Sequence, residues 1–197
     1  MVYDSNSFLS TSEQTVNAQY ILDFFIGKGW TKNAVCGMLG NMQSESSINF
    51  GIYEGLDSSS STNGFGLTQW TPNTKYFDWA NSNGYGSDHV NGELNRILYE
   101  VTNNLQWFGG VSGTMTFEQF THSTDTPENL AYAWISTYEH PANPDQPIRQ
   151  TQARYWYDNL TGSGSSGGGT GGGGTTPTST QQTLSLLLSD TLNGWKW

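Results

Sequence analysis

Positive charge is scarce in this chain: 7 of its 197 residues are Lys or Arg, against 17 Asp or Glu, and the formal net charge is −10. Nucleic acid is bound mainly by cations that neutralise phosphates, so this balance argues against a nucleic-acid partner. It also disfavours electrostatic docking to an anionic membrane. Any association with a cell surface must therefore depend on specific contacts.

Cysteine and long apolar runs are also nearly absent. Cys36 is the only cysteine, so no intrachain disulfide can form, and its apolar neighbours predict a buried core residue rather than a nucleophile. No stretch is long enough to span a bilayer, so we predict no membrane insertion. The N-terminus has neither the basic nor the apolar region of a secretory signal, so delivery outside a cell would need a route other than the Sec pathway.

Several kinds of active site are missing as well. His89, His122 and His140 are far apart and show no metal-ligand spacing, so we predict no metal and no cofactor. No Ser-His-Asp or Cys-His arrangement stands out, and no phosphate-binding Gly-Lys-Ser or Gly-Lys-Thr loop occurs. Aromatic residues, by contrast, make up 14% of the chain, which is high for one small domain. We expect most of these rings in the core and some along a groove of the kind that holds carbohydrate.

Helix signals dominate the chain up to residue 160 and predict a mainly α domain with a small extended or hairpin lobe flanking a cleft. The capping pattern Thr11-Ser12-Glu13-Gln14 begins a first helix that Gly27 ends. Thr31 caps a second helix, which places Glu45 in its last turn or just beyond it. Helical periodicity is lost between residues 49 and 69, which indicates a loop or a small hairpin. Further helix starts are predicted at Thr71-Pro72, Asp88, Thr116, Thr126-Pro127 and Ile148.

The composition changes sharply after the helical part. Residues 1–160 form the predicted catalytic-size domain. Residues 161–180 are almost entirely Gly, Ser and Thr, which is typical of a flexible linker. Residues 181–197 form a short apolar tail that cannot build a core alone, so we expect it to pair with something or to begin a second domain.

One carboxylate is placed as a general acid requires. Glu45 stands at the end of an apolar helix, where packing can desolvate it, and a solvated surface role is less attractive because a carboxylate there meets the unfavourable end of the helix dipole. Glycoside cleavage needs such a donor plus a second carboxylate or a group on the substrate. Asp57 and Glu54 are the two closely ranked candidates for the second carboxylate. Glu139 is expected to order the cleft floor by hydrogen bonding.

A glycine-rich turn follows the acid, reading Asn-Gly-Phe-Gly-Leu-Thr-Gln-Trp over residues 63–70. Alone, this turn indicates only a hairpin. Its position shortly after the helix that carries Glu45 favours a substrate cleft, in which amide and aromatic groups hold sugar rings. The predicted substrate-binding residues are Tyr53, Gly64, Phe65, Gln69, Trp70, Tyr138 and Glu139.

Two motifs resemble the phage tail lysozyme family of the lysozyme superfamily: Gly-Met-Leu-Gly-Asn-Met-Gln-Ser-Glu-Ser at 37–46 and Gly-Phe-Gly-Leu-Thr-Gln-Trp-Thr at 64–71. The resemblance runs over about residues 9–160. It implies an α+β lysozyme-like fold and a muramidase, a glycosidase that cuts the N-acetylglucosamine and N-acetylmuramic acid chains of peptidoglycan, with Glu45 as the acid. It also implies a virion protein of the tail tip or knob, made in the host cytoplasm, which contacts other tail proteins and opens the wall when the genome enters the host.

The resemblance also bears on the end of the chain. In tail-knob members of this family from small podoviruses, the lysozyme-like domain is joined by a linker to a zinc-dependent peptidase. The Gly-rich segment and the apolar tail look like the approach to such a domain, but the peptidase's metal-ligand motifs are absent from this sequence. Either the chain is part of a longer protein or the phage has dispensed with that domain.

Two other functions stay open at this point. A lytic transglycosylase would need only Glu45, because a hydroxyl of the muramic acid takes the place of water. A non-catalytic wall-binding or structural tail module would use the same aromatic contacts. Such a module has no need of a carboxylate at Glu45, which favours an enzyme.

Overall fold

The computed structural model describes residues 1–162, and this part of the chain is mainly helical, as predicted. None of its helices is long and apolar enough to cross a membrane. The predicted tail and all but the first two residues of the predicted linker lie outside the described residues. The described helices are α1 (Thr11–Ile26), α2 (Lys32–Ser46), α3 (Thr74–Ser82), α4 (His89–Thr102), α5 (Phe117–Thr121), α6 (Pro127–Trp134) and α7 (Pro147–Asn159), with a 3-10 turn at Glu54–Leu56 and a π-helical turn at Ile135–Glu139.

The helix ends follow the predicted caps with small differences. The capping box of α1 starts one residue earlier than predicted, because the Ser10 side chain accepts a hydrogen bond from the Glu13 backbone N–H while Glu13 accepts one from the Ser10 N–H. Thr31 caps α2 through the Ala34 N–H, as predicted. Helix α3 starts at Thr74 rather than at Pro72, since the Thr71 hydroxyl donates to the Gln69 carbonyl instead of capping a helix.

Helix α2 lies at the centre of the domain, packed against α1, α5, α6 and α7. Helix α7 approaches it closely at Gly40. A Cβ at this position would come within 2.7 Å of the Ala153 backbone N, a distance that real Cβ atoms do not adopt. The missing side chain at Gly40 thus lets the two helices meet, and it brings the first turn of α7 alongside the last turn of α2.

The predicted hairpin lobe is not confirmed. In residues 1–162 the only β pairing is a single bridge between Tyr53 and Phe65. Two further backbone hydrogen bonds flank it, from Glu54 N to Gly64 O and from Gly66 N to Ile52 O, each 3.0 Å long. The segment is therefore a compact loop whose two arms touch at one point.

This loop is held from two sides at Gly66 and Leu67. Glu93 of α4, which is fully buried, accepts a 2.6 Å hydrogen bond from the Leu67 N–H. On the other side, the Ser46 hydroxyl at the end of α2 donates to the Leu67 carbonyl over 3.0 Å. Gly66 has a φ of +76°, and a Cβ there would lie 2.5 Å from the Glu93 carboxyl, so only glycine fits.

We expect Gly66→Ala to lower the free energy of unfolding by about 2–4 kcal/mol, since it combines a left-handed backbone with a clash against a buried carboxyl. Gly84→Ala is the matched control, because Gly84 has a φ of +80° but no atom within 4 Å of the added Cβ. Its expected loss is about 1 kcal/mol. Urea unfolding of both variants measures the difference, and equal losses would contradict the Gly66–Glu93 contact.

Candidate active site

Glu45 lies in the last turn of α2, as predicted, with its side chain 18% exposed. Its carboxylate is in direct contact with Arg149 of α7, whose Nη2 lies 2.5 Å from the Glu45 Oε1. The close approach of the two helices at Gly40 makes this ion pair possible. Glu45 is therefore a half-buried carboxylate held by a cation, not an isolated acid at a helix end.

Arg149 is a site residue that sequence reasoning missed. It is 7% exposed, and its guanidinium also donates to the Asn41 Oδ1 and the Gln146 Oε1. Its position on the helix was the available signal, because Arg149 falls on the buried stripe of α7 that continues with Gln152, Ala153 and Trp156. A cation on an apolar stripe needs a buried partner, and here that partner is Glu45.

Glu139 is the second carboxyl of the site. It ends the π-helical turn, and its Oε1 accepts a 2.8 Å hydrogen bond from the Trp134 indole N–H. Burial raises the pKa of Glu139 from its ordinary 4.5 to about 8, with the charge of Glu45 as the second cause, while Arg149 and the Trp134 hydrogen bond act in the opposite direction. The site thus combines Glu45, paired with Arg149, and a Glu139 whose raised pKa lets it retain a proton at neutral pH.

The two carboxylates predicted to assist Glu45 have local partners in the loop. The Glu54 Oε2 accepts a 2.8 Å hydrogen bond from the Gly64 N–H, which closes the loop near its bridge. Asp57 is exposed, and hydrogen bonds from the Ser59 hydroxyl and backbone N–H lower the pKa of its carboxyl. Both residues stabilise turns, and a catalytic part for either stays a prediction.

Most of the predicted sugar-binding rings lie in the core. Phe65 is fully buried, and Trp70 and Tyr138 are each 3% exposed. Trp70 stacks on Tyr76 with ring centroids 5.3 Å apart. Direct sugar contact by these rings would require them to leave the core, and it stays a prediction. Tyr53 is the only half-buried ring of the predicted set.

The two remaining predicted residues shape the loop itself. Gly64 is buried, and its Cα faces the side chains of Gln69 and Thr71. The Gln69 amide donates to the Gly66 carbonyl over 2.9 Å and to the Ile52 carbonyl over 3.3 Å. Sugar binding by either residue stays a prediction.

The described residues contain no cluster that would hold a metal. Within 1–162, no three His, Cys, Asp or Glu side chains are grouped as a metal site requires. The chemistry that these residues can perform is proton transfer and charge stabilisation by Glu45, Glu139 and Arg149.

Comparison with known proteins agrees with the two motifs around this site. Residues 16–160 match the phage tail lysozyme family, and the chain belongs to that family. One relative is morphogenesis protein 1 of Bacillus phage B103, which is 55% identical over 166 residues. That alignment covers 84% of this chain but 45% of the relative, so the chain spans about half of the relative's length.

We expect Glu139→Gln to change how stability depends on pH. The folded-state pKa of about 8 lies above the ordinary 4.5, so the Glu139 contribution to stability is fully present below about pH 4.5 and is lost as pH rises toward 8. The wild type should lose up to about 1.4 kcal/mol per pH unit in this window relative to the variant. Urea unfolding of both proteins between pH 5 and 8 measures the difference in their free energies of unfolding. A difference that does not change with pH would contradict the raised pKa.

Proposed function

We propose that this chain is a muramidase of a phage tail, which hydrolyses the glycan strands of peptidoglycan. The observation that carries the proposal is a site with two carboxyl groups in different surroundings, in which Glu45 pairs with Arg149 while the pKa of Glu139 is raised to about 8. Glycosidases need one carboxyl to donate a proton and one to act as a base or nucleophile. Family membership supports a cell-wall substrate, and the proposal adds the bond that is cut.

The proposed steps use the two carboxyls in turn. Glu139 donates its proton to the bridging oxygen as the bond between that oxygen and the anomeric carbon breaks. Glu45 stabilises the positive charge that develops at that carbon. A water then adds to the carbon, and its proton returns to the carboxyl pair, which restores the starting state. Because the charge of Glu45 acts on Glu139, the pH profile reports values that belong to the pair.

The sequence alone assigns the donor's part to Glu45, and the contact with Arg149 favours Glu139 instead. An activated aryl chito-oligosaccharide separates the two assignments, since a good leaving group needs no proton. If Glu139 is the donor, Glu139→Gln keeps activity on this substrate but not on peptidoglycan, whereas Glu45→Gln loses both. The reverse pattern would return the donor's part to Glu45.

The relative supports a place for this chain in the virion. It carries the name of a phage morphogenesis protein. We propose that the chain is delivered on the tail tip or knob, contacts other tail proteins there, and opens the wall when the genome enters the host. A lysozyme-like cleft beside the bridged loop would then face the wall, and a peptidase in a longer form of the protein would cut the cross-links.

We expect Glu45→Gln and Glu139→Gln each to slow the release of soluble muropeptides from Bacillus peptidoglycan by at least about a hundred-fold, because each removes one half of the acid–base pair. Glu118→Gln is the control: it removes the same charge from a side chain that is 68% exposed and should leave the rate unchanged. A folded Glu45→Gln protein with the wild-type rate would contradict the proposal.

Mass spectrometry of the digest distinguishes the remaining alternatives. Hydrolysis by a muramidase leaves reducing N-acetylmuramic acid ends. Products lighter by one water would identify a lytic transglycosylase. Tight binding to insoluble peptidoglycan without soluble products would identify a wall-binding or structural module, and either result would overturn the muramidase.

A further inference from the structure

A third carboxylate, Glu100 of α4, is fully buried and connects three parts of the chain. Its Oε1 accepts hydrogen bonds from the Trp70 indole N–H over 3.0 Å and from the Arg96 Nε over 2.9 Å. Its Oε2 accepts one from the Tyr138 hydroxyl over 2.5 Å. Trp70 belongs to the glycine-rich loop, and Tyr138 directly precedes Glu139.

Such a carboxylate is costly to bury: burial raises the pKa of Glu100, while its contacts with Tyr138, Arg96 and Trp70 act in the opposite direction. The Arg96 guanidinium that pairs with Glu100 also lies over two neighbouring aromatic rings, 5.4 Å from the ring centroids of Trp79 and Tyr99. A buried ion pair of this kind contributes little to stability compared with apolar residues of similar size. Its value therefore lies in geometry, because three donors from three segments must converge on two oxygen atoms.

We propose that Glu100 is a positioning residue for the catalytic pair: it ties Tyr138 to Trp70 and so holds the π-helical turn and the Glu139 carboxyl in place, with its negative charge acting on that carboxyl. This inference rests on the proposed function for its catalytic consequence. The Glu100–Tyr138–Trp70 contacts themselves do not depend on the substrate.

The charges that act on Glu139 come from three helices. Glu45 on α2 and Glu100 on α4 both raise the pKa of the Glu139 carboxyl, after burial as the largest cause, and Arg149 on α7 lowers it. His140 follows in sequence, and burial lowers the pKa of its imidazole, so it adds no charge near neutral pH. Removing the charge of Glu100 should therefore lower the pKa of Glu139 and release its proton at a lower pH.

The first measurement is an NMR titration of the protein labelled with carboxyl-¹³C glutamate, in which Glu139→Gln assigns the Glu139 signal. Glu100→Gln keeps the shape of the side chain but removes its charge, and the Glu139 midpoint should move to lower pH. Glu118→Gln removes an exposed charge and should leave the midpoint where it is. An unmoved midpoint in folded Glu100→Gln would overturn the electrostatic part of the proposal.

The second measurement is kinetic and separates position from charge. Tyr138→Phe removes the hydrogen bond between Tyr138 and Glu100 but keeps the charge of Glu100. Misplacement of Glu139 should then lower kcat by about ten- to a hundred-fold, with KM little changed. The titration midpoint of Glu139 should stay near that of the wild type. Glu100→Gln should lower kcat similarly and also shift the alkaline limb of the rate profile to lower pH. Wild-type kcat in both variants would overturn the positioning role.

The two proposals can fail separately. If the wild type releases no muropeptides, the proposed function fails, yet the NMR titration still decides whether Glu100 acts on Glu139. If Glu100→Gln does not fold, Tyr138→Phe and Trp70→Phe each remove one hydrogen bond to Glu100 while keeping its charge. A wild-type rate in both of these variants would overturn the inference.

Discussion

The crossing of α7 over α2 at Gly40 is the contact on which the candidate site depends. It allows Arg149, one of only 7 Lys and Arg residues in the chain, to enter the interior and pair with Glu45. Without this approach Glu45 would be a carboxylate at the unfavourable end of a helix dipole, with no buried cation to hold it. The same guanidinium also lowers the pKa of Glu139, so one helix crossing brings a cation to both carboxyls.

Because cations are scarce, the buried Glu93 and Glu100 and the half-buried Glu139 are accommodated largely by neutral hydrogen-bond donors. Glu93 accepts a hydrogen bond from a backbone N–H, and Glu139 accepts one from the Trp134 indole. Glu100 accepts hydrogen bonds from the Trp70 indole and the Tyr138 hydroxyl in addition to Arg96. Burial raises the pKa of all three. The N–H and O–H donors act in the opposite direction and lower the pKa of each carboxyl, but burial outweighs them.

This arrangement also accounts for the high aromatic content. The sequence suggests that some rings line a sugar-binding groove, and the structure uses several of them to carry a hydrogen-bond donor into the core. Trp70 illustrates both properties, since its ring stacks on Tyr76 while its N–H reaches Glu100. An indole is suited to this task because it combines a large apolar surface with one directed donor.

The sequence by itself determined the helices, the family and the position of Glu45. Caps such as Thr31 and apolar spacing act within one or two turns, so they can be read locally, and two short motifs were enough to indicate the family. Only the tertiary structure decided which groups meet Glu45. Arg149 lies 104 residues away in the chain and Glu100 meets Tyr138 across 38 residues, whereas the predicted partners Glu54 and Asp57 lie in the irregular segment that was expected to face Glu45 across the cleft. Helical periodicity states which face of a helix is buried but not what it is buried against, because the partner is selected by packing between elements that carry no shared local signal.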